Sequence, residues 1–269
     1  MSPRTDRRSR RVKAGAEPFQ GGAGEAAVLL CHGFTGSPAS LRAWAEDLVA
    51  RGFTVDLPRL PGHGTHWRDL NATEWTDWYA RVDQAFRRLA AEHRVVFVFG
   101  LSMGGALALR LAAEHADRVA GVVLVNPSVH DPDPRLRALP LLKHLVPSLA
   151  GITNDIARPG ADELGYDRLP LRALHSLTRL WRDVRGRLGQ VTAPLLLFRS
   201  ATDHVVDPSS ARMILDAVNS PATEEIVLTR SYHVATMDVD APVIFDRSAA
   251  FCAEIAAGAG IVLGRDRKA

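Results

Sequence analysis

The chain has 269 residues, of which 46% are hydrophobic and 23% are charged, and its formal net charge is +3. These fractions are close to the averages of globular domains, so they argue against a disordered chain and against a membrane protein. The apolar runs are strand-sized and fall well short of the ~20 residues that a membrane-spanning helix needs. The length favours one α/β domain with room for a small insertion.

The basic excess is concentrated at the start of the chain. Residues 1–13 contain six Arg and Lys residues against the single acidic Asp6. This pattern predicts a disordered, solvated arm over residues 1–22, with a nucleic-acid or membrane-binding arm as the alternative. The stretch has no apolar core of the kind that a signal peptide needs. We therefore expect no nucleic-acid partner and no stable membrane insertion.

The cysteine content indicates the redox environment. Cys31 and Cys252 are the two cysteines, and two residues so far apart in sequence do not form a disulfide framework. The sequence therefore favours a reducing, cytoplasmic setting.

Runs rich in Val, Leu and Phe alternate with helix-periodic segments along the chain. The predicted strands cover residues 26–31, 53–56, 95–99, 121–125, 195–199 and 226–229. The predicted helices cover residues 38–51, 75–92, 104–115, 209–219 and 242–257. This order predicts an α/β fold with a mostly parallel central sheet and helices on both faces.

One interval breaks the alternation, because residues 126–194 are too many for a single crossover helix. Apolar residues stand among prolines and glycines in its first part, without strand-like alternation. We interpret residues 128–170 as a cap over the carboxyl edge of the sheet, the alternative being an insertion packed elsewhere. The core then comprises residues 23–127 and 171–260, followed by a tail at 261–269.

A candidate nucleophile lies between a predicted strand and a predicted helix. Ser102 is flanked by Gly100 and Gly104 in a G-x-S-x-G pattern. Such a strand-turn-helix presents a serine hydroxyl to a carbonyl group without crowding from its neighbours. The pattern in this context predicts a nucleophilic serine rather than a serine in a buried tight turn.

Attack by a serine on an ester builds negative charge on the carbonyl oxygen, which backbone N–H groups stabilise. The residue after the nucleophile, Met103, is the first candidate donor. The loop His32–Gly36 directly follows the first predicted strand and offers Phe34 as the second. This glycine-containing loop fits neither of the common phosphate-binding spacings.

The order serine, acid, histidine restricts the remaining candidates. His233 follows the last predicted strand, and Asp203 follows the strand before it. Asp207 is the competing acid, but it also fits the N-cap of the next helix. The predicted catalytic set is Ser102, Asp203 and His233, with neither a metal nor a cofactor.

Five segments together resemble bacterial monoacylglycerol lipases and their carboxylesterase relatives, which have the α/β-hydrolase fold. They are residues 30–38 (LCHGFTGSP), 60–65 (LPGHGT), 100–105 (GLSMGG), 203–206 (DHVV) and 231–236 (SYHVAT). The resemblance covers residues 26–257, and the arginine-rich start departs from it. It implies a serine esterase that forms an acyl-enzyme and releases a fatty acid from a small ester substrate.

The segments 151–156 and 163–166 also resemble the small cap of those lipases. The resemblance implies that Glu163 contacts the glycerol head group and that Ile152 helps to line the acyl tunnel. It favours monoacylglycerol as substrate, with transient contact between the cap and a lipid surface. A short-chain carboxylesterase or a thioesterase shares every catalytic residue, and a catalytically silent binding protein is the alternative from another class.

Overall fold

The computed structural model describes residues 11–261 and 263. Its nine strands are β1 Phe19–Gly21, β2 Ala26–Cys31, β3 Thr54–Leu57, β4 Val95–Leu101, β5 Val119–Val125, β6 Ser148–Ala150, β7 Arg168–Pro170, β8 Leu195–Ser200 and β9 Thr223–Leu228. Seven of them form one sheet in the order β1-β3-β2-β4-β5-β8-β9. Every pairing in that sheet is parallel except that of β1 with β3. The predicted mostly parallel sheet is confirmed.

Helices cover both faces of this sheet. They are α1 Arg42–Ala50, α2 Trp67–Leu70, α3 Trp75–Glu92, α4 Met103–Glu114, α5 Leu139–Leu145, α6 Leu171–Arg185, α7 Ser209–Ala217 and α8 Ala241–Gly258. The predicted helix 75–92 is reproduced to the residue, and a short 3₁₀ turn at Pro38–Leu41 precedes α1. Ser37 accepts a hydrogen bond from the N–H of Ala39 and so begins that turn, as its position before a proline suggested.

The alternation of side chains along β2 explains why the sheet is buried on both sides. Ala27 and Leu29 point toward the layer of α3, α4 and α6, whereas Val28 and Leu30 point toward the layer of α1 and α8. All six residues of β2 are buried. A strand with two apolar faces has to lie in the middle of such a sandwich, because either face alone would otherwise meet water.

The start of the described chain is packed rather than disordered. Phe19–Gly21 pairs with β3 at the edge of the sheet, and Ala16 is fully buried. The N–H of Lys13 donates to the carbonyl of Gly64. The disordered arm expected over residues 1–22 is therefore wrong from Lys13 onward, and residues 1–10 lie outside the described part of the chain.

The opposite terminus shows a smaller difference from the expectation. Ile261, predicted as the first residue of the C-terminal tail, is 4% exposed and donates its N–H to the carbonyl of Ala256. Leu263 packs against the same apolar layer. The helical packing of α8 thus extends beyond the predicted boundary at residue 260.

Residues 128–170 contain elements that stand outside the main sheet. A 3₁₀ turn at Pro134–Ala138 leads into α5, and β6 pairs antiparallel with β7 to form a separate two-stranded sheet. The chain then returns through α6, whose buried face packs on α3 and α4. Among the described residues, no helix is both long and apolar enough to cross a membrane.

Candidate active site

Ser102 occupies the turn between the end of β4 and the start of α4. Its backbone has φ 56° and ψ −120°, in the left-handed region that costs a non-glycine residue conformational energy. The residues two positions before and after Ser102, Gly100 and Gly104, have no room for a side chain. A Cβ on Gly104 would lie 1.8 Å from the carbonyl oxygen of Cys31, and one on Gly100 would lie 2.3 Å from that of Gly104.

The loop after β2 approaches this turn closely. A Cβ on Gly33 would lie 3.5 Å from the Cβ of Ser102, so the loop backbone runs directly beside the serine. Within the described chain, the backbone N–H groups of Phe34 and Met103 donate to no other residue. For Met103 the reason is its position as the first residue of α4, where helical N–H groups lack internal acceptors.

His233 and Asp203 are brought into contact from the loops that follow β9 and β8. His233 Nδ1 lies 2.8 Å from Asp203 Oδ2. The other carboxylate oxygen, Asp203 Oδ1, accepts hydrogen bonds from the N–H groups of Val205 and Val206 at 2.8 Å each. Asp207 instead accepts from the N–H of Ser209 at the start of α7. It thus lies one residue before the N-cap, which is Pro208 rather than the predicted Asp207.

Burial and charge act in opposite directions on both groups. Burial lowers the pKa of His233, but the charge of Asp203 and its hydrogen bond raise it, with further contributions from Glu163 and Asp155, and the net effect raises the pKa above its ordinary value. For Asp203, burial raises the pKa, but His233 and the two backbone donors bring it below its ordinary value. The pair therefore favours a carboxylate beside a readily protonated imidazole.

Asn126 is a buried polar residue that the sequence analysis did not identify. It follows β5 with a φ of 43°, and its side-chain amide donates to the carbonyl of His233 at 2.7 Å. Its side-chain oxygen accepts the N–H of Ser200 at 2.7 Å. One amide thus joins the ends of β5 and β8 to the His233 loop. A polar residue directly after a buried strand was the available signal.

Asp155 and Asp238 are two further acids that the sequence analysis did not assign to the site, and their side chains are 10% exposed and buried, respectively. Asp155 accepts the N–H of His233 at 3.1 Å. Asp238 accepts the N–H of Tyr232 at 2.9 Å and the N–H of Ala157 at 2.7 Å. Both acids therefore connect the segment after Gly151 to the loop that carries His233. Their partners are remote in sequence, so no local pattern marked them.

Glu163 and Ile152, the two predicted residues of residues 128–170, differ in their surroundings. Glu163 Oε1 accepts the N–H of Asn154 at 3.0 Å, and the N–H of Glu163 donates to Asn154 Oδ1 at 2.9 Å. Burial raises the pKa of the Glu163 carboxyl. Ile152 is 60% exposed, so its side chain is only partly covered.

A cavity of about 400 Å³ joins most of these residues. Five of the seven predicted site residues line it, namely Phe34, Ser102, Ile152, Glu163 and His233. Asp203 reaches it through His233, and Met103 follows Ser102 in the turn. Its apolar side is formed by residues that include Leu136, Leu174, Leu177 and Trp181. A cavity of this size, with an apolar side and several polar groups, is typical of a site for a small organic ligand.

One group of side chains outside the cavity has the spacing of metal ligands. Asp83, Glu114 and His115 place their ligand atoms within 4.8 Å of one another. Asp83 and Glu114 also form ion pairs with Arg87 and Arg110, and His115 lies 2.7 Å from Asp83. None of the three lines the cavity, so this group is separate from the candidate active site.

The parallel sheet, the strained serine turn and the acid–histidine pair on the following loops are the features of an α/β-hydrolase. The chain belongs to the family described as serine aminopeptidase, S33, whose model matches residues 22–240. It is therefore a member of a hydrolase superfamily.

Relatives within this superfamily include lipases and esterases. The chain is 41% identical to a thermostable monoacylglycerol lipase of Bacillus sp. (strain H-257), over 90% of this chain and 96% of that protein. It is 27% identical to a carboxylesterase of Bacillus subtilis (strain 168), over 82% of this chain and 90% of that protein. A solved structure from work on the metagenome-derived lipolytic enzymes LipS and LipT is 38% identical, covers 91% of this chain and 100% of its own, and has a TM-score of 0.88.

Proposed function

We propose that the protein is a serine esterase that cleaves carboxylic esters through an acyl-enzyme, with Ser102 as nucleophile and His233 as general base. The observation that carries this proposal is the 2.8 Å contact of His233 with Asp203, since His233 lines the same cavity as Ser102. His233 takes the serine proton and returns it to the leaving alcohol. Water then repeats the attack and releases the acid.

The remaining groups act on the charges that this sequence of steps creates. The N–H groups of Phe34 and Met103 stabilise the oxyanion, a role supported by their lack of another acceptor among the described residues. Asp203 holds the Nδ1 proton, which leaves Nε2 of His233 as the atom that accepts the serine proton. Asp203 itself stays ionised, consistent with its lowered pKa.

For the substrate, we propose a monoacylglycerol, cleaved to glycerol and a fatty acid. The support comes from the relative named as a monoacylglycerol lipase, 41% identical over 90% of this chain. Glu163 is an acceptor on the polar side of the cavity, and Leu174 and Leu177 offer an apolar side for one acyl chain. In this proposal Glu163 binds the glycerol hydroxyls, Ile152 lines the acyl path, and residues 128–170 form the cap.

A second candidate is a general carboxylesterase, which the Bacillus subtilis relative favours. The same catalytic residues serve both activities, so only the cavity selects between them. The comparison of 1-monooleoylglycerol with triolein and short-chain esters separates the candidates. We expect hydrolysis of monooleoylglycerol to exceed that of triolein, and comparable rates on both would contradict a monoacylglycerol lipase.

The cap also carries apolar side chains that face outward. Leu141 and Leu145 of α5 are 76% and 80% exposed, and Ile152 is 60% exposed. Leu141 and Leu145 are four residues apart and so lie on one face of α5, whereas Ile152 also lines the cavity. An exposed apolar helix face marks a contact site. We propose that these side chains touch a lipid surface transiently while the substrate enters.

A cytoplasmic setting is also part of the proposal and is supported by the buried, unpaired Cys31 and Cys252.

Two variants and a covalent probe test these assignments. Ser102→Ala should lower kcat by ~10³- to 10⁶-fold with folding intact, and near-native activity would rule out the nucleophile. A fluorophosphonate probe should label the parent at Ser102; no adduct would favour a catalytically silent binding protein. Glu163→Ala should raise KM for monoacylglycerol, whereas an unchanged KM would remove its head-group role. Asp167→Asn, an exposed change in the same segment, is the matched control.

A further inference from the structure

The side chain of Asp155 forms hydrogen bonds with both the loop that carries Asp203 and the loop that carries His233. Its Oδ1 lies 2.7 Å from Nδ1 of His204, the residue after Asp203. Its Oδ2 accepts the N–H of His204 at 3.2 Å and that of His233 at 3.1 Å. The carbonyl of Asp155 accepts the N–H of Val234 at 3.0 Å. Asp155 therefore contacts the residue next to the acid, His204, and the backbone of the base itself, His233.

These contacts are more than is needed to hold the segment of Asp155 in place. The next residues are already attached by Asp238, which accepts the N–H groups of Ala157 and Arg158 at 2.7 and 2.9 Å. The Asp155 carboxylate, with a side chain only 10% exposed, directs every one of its contacts to His204 and His233. Hydrogen bonds to a carboxylate are roughly twice as strong as neutral ones, so this attachment is stiff.

We infer that Asp155 is a positioning residue for the general base, which holds the backbone of His233 at the correct distance from Asp203. This inference rests on the proposed function, in which His233 gains and loses a proton in each turnover. The 2.8 Å contact between His233 and Asp203 joins two loops, and neither loop alone fixes it. Asp155 sets the spacing of both loops from a third segment through its contacts with His204 and His233, and its side chain also lies at the wall of the cavity.

The charge of Asp155 adds a property that a purely structural tie would not have. The charged groups facing His233 are Asp203 on the acid loop together with Glu163 and Asp155 from residues 128–170. All three raise the pKa of His233, against burial, which lowers it. Removing the charge of Asp155 therefore lowers that pKa. Because the base must be neutral, the acidic limb of kcat/KM then moves to lower pH.

The test compares Asp155→Asn and Asp155→Ala with Asp167→Asn, whose parent side chain is exposed and outside these contacts. Asp155→Asn keeps an oxygen for the His233 N–H and removes the charge, so its acidic limb should shift to lower pH. Asp155→Ala also removes the attachment and should lower kcat by ~10- to 100-fold, with KM changed less than kcat. The control should match the parent in all of these quantities.

The measurements are kcat, KM and the pH profile of kcat/KM on a soluble p-nitrophenyl ester, with thermal unfolding of each variant. The inference is overturned if Asp155→Ala has the kcat of the control, or if the acidic limb of kcat/KM in Asp155→Asn lies at the same pH as in the parent. If Asp155→Ala does not fold, the pH of that limb in Asp155→Asn alone decides whether the inference holds. The proposed function fails separately, through activity retained in Ser102→Ala, so the two failures are distinguishable.

Discussion

The strained backbone of Ser102 predicts that glycine stabilises this position more than alanine does. At φ 56° and ψ −120°, a side chain costs on the order of 1–3 kcal/mol, and glycine removes that cost. Glycine also increases the conformational freedom of the unfolded chain, which offsets about 0.4–1 kcal/mol. Ser102→Gly should therefore exceed Ser102→Ala in unfolding free energy by about 1 kcal/mol, or ~2–4 °C in Tm.

Both variants lack the hydroxyl, so substrate turnover does not complicate the comparison. Thermal and urea unfolding measure the difference directly. The control is the same pair of substitutions at Ser128, another buried serine, whose φ is not positive. There alanine should be the more stable variant. If glycine at position 102 is as unfavourable as glycine at position 128, the strain argument is refuted.

Three further predictions concern the surroundings of the serine. Because Asp203 raises the pKa of His233, Asp203→Asn should move the acidic limb of kcat/KM to lower pH and reduce kcat by ~10⁴-fold, as measured in a pH–rate profile. Gly104→Ala forces a Cβ against the carbonyl of Cys31 and should destabilise the fold by more than about 3 kcal/mol in urea unfolding. Asn126→Ala leaves the carbonyl of His233 without its donor and should cost about 1–3 kcal/mol by the same assay.

Short-range signals made much of the fold predictable. The strands β2 and β4 are uninterrupted apolar runs bounded by polar or glycine residues, and both begin where the sequence indicated. The predicted catalytic residues follow strand ends, where loops meet at the carboxyl edge of a parallel sheet. Their positions were therefore predictable from order alone. The contact of His233 with Asp203 is consistent with that interpretation.

Elements that depend on distant partners were missed. The strand β1 is three residues long and exists because it pairs with β3, which lies more than thirty residues further along the chain. The last strand was predicted at 226–229 but begins at Thr223. Its first residues were missed because Glu224 and Glu225 are exposed at the edge of the sheet and give no apolar pattern. The tie from Asp155 to His233 spans 78 residues with no periodicity to mark it.

The attachment of residues 155–158 to the loop of His233 defines where the chain could be divided for segment exchange. Four hydrogen bonds join these residues to residues 233–238: Ala157 and Arg158 donate their N–H groups to Asp238, and Asp155 accepts those of His233 and Val234. They nevertheless lie within the interval first assigned to the cap. A chimera that imports residues 128–153 from a relative leaves this junction intact. A chimera that imports residues 128–170 replaces residues 155–158, one side of this junction, so the native loop of His233 then contacts residues from the relative. An exchange of this segment between relatives is therefore better joined before Asn154 than at the end of the insertion.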